Sequence, residues 1–416
     1  MSDISPDPHA PAKWEYAIWY LFLASWMQGM AILNIAGALL LVASARHLPY
    51  ALRLAGQYRM LWLAVACYEG LRILTTIFAQ FPAQAAVGLF DDLRSIMIGL
   101  AALAFLRSRQ QVIFAAWASF TGVTILSWWS LAWQLWHHGL ATNGDIIYGT
   151  FAHLNYSATY SMIAMLIMLL VLTRLPFRHS WPMLLGIVPI AVMQIPLSSR
   201  TVLLAAALGC GIYILIQRQW KTLMIATAMV LIMITGLSMT STGLQQFGTT
   251  SSVEKQLEGH HGMPSIQIRL EIWGLLWQIS KDHPFGIGPR NHGYISISPY
   301  RKWIAQHMAY TFSTVHQIDT TSAAFIHFDL NHSEGGHPVS YDPHSQYMES
   351  LVETGMLGVL SLLFLYVIPI TLARRQGSQT DNEHALLQGT AMITIWILAW
   401  SGLTITIFHQ AGLIFF

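Results

Sequence analysis

Charge is what this sequence has least of. Only 10% of its 416 residues are Asp, Glu, Lys or Arg, against roughly 25% in a soluble domain. With 54% hydrophobic residues and a mean hydropathy of +0.49, that scarcity excludes a soluble globular enzyme. It implies a chain that crosses a membrane repeatedly. Cysteine is nearly absent too: Cys67 and Cys210 both fall in apolar segments, which excludes a disulfide framework. The first 13 residues are polar and Pro-rich, with no basic stretch ahead of a short apolar one, so no cleaved signal peptide is expected. There is no internal repeat, low-complexity tract or heptad pattern. The net charge of +2 names no partner, and no nucleic acid is expected. There is no Asp-x-Asp and, among the histidines, no H-x-x-x-H spacing of the kind zinc sites favour. No metal and no cofactor are therefore expected.

What is present is a series of apolar runs. A helix needs about 20 apolar residues to span a bilayer. The runs 59–80, 84–106, 111–136, 152–173, 181–198, 200–217, 221–241, 346–373 and 384–408 qualify. The terminal stretches 16–45 and 384–416 are too long for one untilted span and short for two. The expectation is ten spans if each end crosses once, or twelve if each forms a hairpin. Arg46, Arg53 and Arg59, then Arg107 and Arg109, Arg174 and Arg178, Arg218 and Lys221, and Arg374 and Arg375 all fall on one side of this arrangement. By the positive-inside bias that side is cytoplasmic. The other side receives the 81–84 turn, the stretch 137–150, Ser198-Ser199-Arg200, and a large segment, 242–344, that carries 10 of the 18 histidines. Helical stretches at 266–280 and 299–310 predict that this segment is ordered. Three parts follow: membrane helices over 1–241, an outer loop domain over 242–345, and membrane helices over 346–416.

The polar residues at the outer edge carry any chemistry. His344, in Asp342-Pro343-His344-Ser345, sits where the outer segment meets a new apolar helix containing Glu349, Glu353, Gly355 and Gly358. Either Asp342 caps that helix, Pro343 opens it and His344 is an ordinary first-turn residue, or an imidazole with a pKa near 6.5 accepts a proton there. Arg200 opens a span. It either snorkels or, with the free N–H groups of a helix N-terminus, meets a phosphate. Arg269 lies on an amphipathic outer helix and either pairs with Glu271 or binds a ligand. Arg290 is a weaker third candidate. Arg72 lies within a span three residues after Glu69, which either neutralises it or leaves it for a ligand. Asp91 and Arg94 share the same (i, i+3) spacing. Asp91 and Asp92 point about 100° apart on a helix, which argues against their holding one divalent ion.

Three blocks of this sequence resemble the O-antigen ligase and polymerase superfamily of bacterial membrane glycosyltransferases. They are Ser198-Ser199-Arg200-Thr201 opening a span; Arg269, Ile272-Trp273 and Pro284-Phe285-Gly286-Ile287-Gly288; and His344-Ser345, nine residues, Gly355, two residues, Gly358. They cover roughly 180–360. The resemblance implies an all-α polytopic membrane protein of about twelve transmembrane helices, GT-C-like, with one large ordered periplasmic loop. It also implies a bacterial inner-membrane location and an active site facing the periplasm. Its donor would be O-antigen on undecaprenyl pyrophosphate and its acceptor a sugar hydroxyl of the lipid A-core oligosaccharide, with membrane lipids around both. His344 would be the general base, and Arg200 and Arg269, with Arg72 as an addition, would bind pyrophosphate in place of a metal.

Three rivals stand beside the ligase. A polymerase would use the same donor but pass the glycan to another lipid-linked chain. Arg200 and Gly211 fit its Arg, ten residues, Gly pattern once. A protein O-oligosaccharyltransferase would take a protein hydroxyl, usually with a further outer domain. From another class, a transporter with a His-rich outer loop would be expected to show paired repeats near the midplane, and none is seen.

Overall fold

The computed structural model describes residues 10–25, 30–137, 154–174, 178, 181–197, 266–315, 319–322, 325 and 345–376. Within these the chain is helical, with no strand among the described residues. The helices are Lys13–Ser25 (α1), Met30–Ser44 (α2), Leu48–Ala55 (α3), Arg59–Ile77 (α4), Pro82–Leu103 (α5), Arg109–His137 (α6), Leu154–Arg174 (α7), Met183–Leu197 (α8), Ile266–Asp282 (α9), Arg301–His307 (α10), Ala309–Val315 (α11) and Gln346–Gln376 (α12). The apolar runs from 59 to 198 each became one helix. The ambiguous N-terminal run is two helices, α1 and α2, in contact with each other. The runs 200–217, 221–241 and 384–408 lie outside the described residues. Among the described residues two helical runs are long and apolar enough to cross a membrane, Asn34–Ile77 and Gln346–Pro369.

The helices pack as α1 on α2 and α6, α8 on α6 and α7, α5 on α2, α3 and α4, and α4 on α12. The shared core is aliphatic and aromatic, with Trp19, Phe22, Leu40, Phe105 and Met168 sealed from solvent. At one end the 45–58 and 104–109 connections meet the start of α1. Glu15, buried, receives Arg46 Nη2 at 2.6 Å and His47 Nε2 at 3.2 Å, and Arg107 lies over the Tyr50 ring. At the other end the 78–81 turn meets the outer segment. A Cβ on Gly288 would lie 2.6 Å from the Ala79 methyl, and one on Gly88 would lie 3.2 Å from Arg290 Cγ. The basic connections and the outer segment thus occupy opposite ends of the helices.

The outer segment has its own small core. Ile268, Ile272, Leu275, Leu276 and Ile279 recur on one face of α9, the spacing of an amphipathic helix, and are buried with Ile304, Met308 and Phe312. The expected helix over 299–310 is a three-ten turn at Ser298–Tyr300 followed by α10 and α11, which break at Met308. Val352 of α12 belongs to the same core and α9 packs on α12, so the outer segment is anchored to the helix that follows His344.

Candidate active site

The α12 helix begins at Gln346. Ser345 is its cap: its carbonyl accepts the Glu349 N–H at 2.9 Å and its hydroxyl accepts the Met348 N–H at 3.4 Å. This differs from the one of the two sequence readings in which Asp342 caps and Pro343 opens the helix. His344 directly precedes Ser345 in sequence. His344 itself lies outside the described residues. So do Arg200 with its Ser-Ser-Arg-Thr block, Gly211, and His260, His261, His327, His332 and His337.

Nine residues into α12 the helix is interrupted. Gly355 has φ 72° and ψ −171°, a conformation that essentially only glycine adopts. A break there frees carbonyls that would otherwise be bonded within the helix. Two of them are taken by the outer loop: Ile287 N–H donates to the Val352 carbonyl at 2.9 Å, and Gly288 N–H donates to the Glu353 carbonyl at 3.0 Å. Close approach requires missing side chains. A Cβ on Gly355 would overlap the Pro284 carbonyl oxygen, one on Gly286 the Glu353 carbonyl, and one on Gly358 the Thr354 hydroxyl. Gly286 and Gly288 also take positive φ, 85° and 94°. The Pro284–Gly288 block and the Gly355…Gly358 block, read separately from sequence, are two halves of one joint.

Beneath that joint lies a charge network. Arg72 is fully buried. Its Nε donates to Asp92 Oδ2 at 2.6 Å and its Nη1 to Glu353 Oε2 at 3.1 Å, with the guanidinium 5.6 Å from the Tyr68 ring. The sequence suggested Glu69 as its partner. Glu69 is buried nearby, but the contacts that define Arg72 come from α5 and α12. Glu353, sealed from solvent, is the hub. Its other oxygen accepts the Arg290 backbone N–H at 2.5 Å and faces His292 Nδ1 at 2.9 Å. Arg290 holds φ 57°, unusual for a non-glycine residue, and its side chain reaches Asp91 at 2.6 Å. Asp91 also meets Arg94 at 3.3 Å, the (i, i+3) pair read from sequence. Asp91 and Asp92 therefore serve different partners.

Arg269 sits on α9 between Ile268 and Leu270, half-buried, with its Nε closed to solvent. Its expected partner Glu271 is otherwise engaged: one oxygen accepts the Thr311 N–H at 2.8 Å and hydroxyl at 2.6 Å, the other accepts Gln267 Nε2 at 3.3 Å. Glu271 ties α11 to α9.

Sequence reasoning missed His292. A ring nitrogen of His292 and carboxylate oxygens of Glu349 and Glu353 lie within 4.8 Å of one another, close enough for a metal ligand set. Glu353, however, already faces three donors, including a guanidinium, and a cation would sit against them. The signal for His292 was the pair Glu349 and Glu353. Two glutamates one turn apart in an apolar helix need partners, and one partner came from the loop after Gly288.

Residues 185–363 match the O-antigen ligase family. Compared against curated proteins, the chain has no match. The matched stretch contains Arg269, the Pro284–Gly288 loop and α12 through Gly358, the parts that interlock in the structure. This match covers less than half of the chain and supports membership of the O-antigen ligase superfamily, whose members are membrane-associated glycosyltransferase-like enzymes that act on lipid-linked polysaccharides.

Proposed function

We propose that the chain is an O-antigen ligase of the bacterial inner membrane, with its site facing the periplasm. The observation that carries this reading is the convergence of two of the three family blocks on one helix, α12. The loop Pro284–Gly288 is hydrogen-bonded to Val352 and Glu353, α9 with Arg269 packs on α12, and His344 immediately precedes the α12 cap.

The chemistry follows from what each group does. A sugar hydroxyl is a poor nucleophile at neutral pH. His344 accepts its proton as the hydroxyl oxygen of the lipid A-core bonds to the donor's anomeric carbon. The C1–O bond to undecaprenyl pyrophosphate breaks, and its electron pair leaves on the phosphate oxygen. Such a base contributes typically 10²–10⁴-fold. Arg200 and Arg269 offer planar forks of donors to the leaving pyrophosphate, which suits reaction without a divalent ion. Arg72 is held by two carboxylates, so its part is to fix the loop and helix behind the site; a direct phosphate contact would need it to leave Asp92 or Glu353. A single displacement inverts the anomeric centre. About twelve spans, with a lateral opening between them, would admit both lipid substrates.

The test is transfer of polysaccharide from undecaprenyl pyrophosphate to lipid A-core by the purified parent and by His344→Ala, with and without EDTA. Loss in the variant, with a parent indifferent to EDTA, supports the metal-free ligase. A variant as active as the parent removes His344 from catalysis. A parent that only lengthens the lipid-linked glycan is a polymerase.

A further inference from the structure

Glu353 and His292 form a carboxylate–imidazole pair: Nδ1 lies 2.9 Å from a carboxylate that is itself sealed from solvent, while the histidine side chain keeps 16% of its surface exposed. A carboxylate on Nδ1 holds the proton there, which makes Nε2 the basic nitrogen and fixes the ring plane. The pair is rigidly supported. Arg72 holds the other oxygen of Glu353, the Arg290 N–H shares the first, and the loop backbone is bonded to the carbonyls of Val352 and of Glu353 itself. Glu349, one turn nearer the helix start, closes the group. Side chains on a helix lean toward its N-terminus, so Glu349 and Glu353 lean toward the Ser345 cap, which His344 precedes in sequence.

We propose that His292, oriented by Glu353, is a second proton-accepting residue of the transfer site. The inference rests on the glycan-transfer reading. One proton is released per transfer. It leaves the acceptor hydroxyl for His344 as the new C–O bond forms, is handed on to Nε2 of His292, and passes to water once the pyrophosphate has departed. No metal, oxidant or further reactant enters. Glu353 acts through His292 and is a positioning residue. The charged groups that bear on His292 are Glu353 and Glu349 from α12, Arg72 from α4 and Asp92 from α5 behind Glu353, and Arg290 with Asp91 beside its own loop.

The decisive variant is His292→Asn. Its amide nitrogen sits near the Nδ1 position and keeps the hydrogen bond to Glu353, but nothing replaces Nε2. Rates are read on whichever transfer the parent performs, to lipid A-core or to a growing lipid-linked glycan, so a wrong acceptor assignment leaves this test intact. The expected result is transfer slowed on the order of 10²-fold with donor KM little changed. The acid limb of the pH profile should also lose one protonation relative to the parent. His292→Gln, whose amide lies nearer the Nε2 position and cannot take up a proton there, is the second variant should the Asn variant accumulate poorly. An Asn or Gln variant with the parent's rate and pH profile overturns the proposal and leaves His292 a structural strap. So does elemental analysis that finds one divalent ion per parent chain and none in the variant, which makes the three side chains a metal ligand set.

Discussion

Gly355→Ala is the sharpest perturbation of the joint between the outer loop and α12. Two costs add. The backbone at φ 72°, ψ −171° is open to glycine and strained for alanine, by about 1–3 kcal/mol. The new methyl also overlaps the Pro284 carbonyl oxygen and lies 3.1 Å from its carbonyl carbon, and both are backbone atoms that no rotamer change moves aside. The loop must retreat by on the order of 1 Å to reach ordinary contact distance. That stretches the hydrogen bonds from Ile287 and Gly288 to Val352 and Glu353, each worth about 0.5–1.5 kcal/mol. The sum is about 2–6 kcal/mol, large beside the marginal stability of a folded domain. The assay is thermal unfolding in detergent together with glycan transfer, with Gly70→Ala as the control. Gly70 lies inside α4 with nothing within 4 Å of its would-be Cβ, and alanine there should be neutral or stabilising by about 0.5–1 kcal/mol. A Gly355→Ala protein that melts and transfers like the Gly70→Ala protein would refute the joint.

Three further outcomes are expected. Arg72→Ala leaves Asp92 and Glu353 buried without their shared cation and should destabilise by about 3–5 kcal/mol, read as a lower melting temperature and lower membrane level. A shift within error would mean that the network carries no net charge burden. Arg290→Asn removes the half-exposed pair with Asp91 but keeps a residue that tolerates φ 57°, so stability should change by less than about 1 kcal/mol; a collapse in membrane level would contradict that. Arg269→Lys keeps the charge and loses the planar fork. Losing one charge-assisted hydrogen bond, about 1.5–3 kcal/mol, should slow transfer by roughly 10–150-fold at unchanged protein level, and parent-like kinetics would remove Arg269 from the pyrophosphate contact.

The uneven legibility of this chain has one physical cause. Local interactions are written in sequence spacing and distant ones are not. The helices from Arg59 to Leu197 could be read because an apolar run of span length has few other folds available in a membrane. The Asp91–Arg94 pair could be read because three residues of helix bring the two side chains together. Arg72 fails the same reasoning. Glu69 has the right spacing, yet Asp92, 20 residues on, and Glu353, 281 residues on, make the bonds. Periodicity says which face Arg72 occupies and is silent on which helix covers that face. Capping stayed open for a related reason. Asp342 and Ser345 are both good caps by residue type; Ser345 takes the first N–H groups of the helix, and Ile287 and Gly288 dock about two turns later. The loop Pro284–Gly288 was legible as a turn, since its glycines announce positive φ, but its purpose was not, because its partners are two backbone carbonyls that carry no residue-specific signal. Only the glycine that frees them does. A glycine nine residues into an apolar helix, preceded by two glutamates at four-residue spacing, therefore says more together than apart: the helix breaks, its carbonyls need donors, its carboxylates need cations or N–H groups, and one polar glycine-rich loop elsewhere in the chain must supply both.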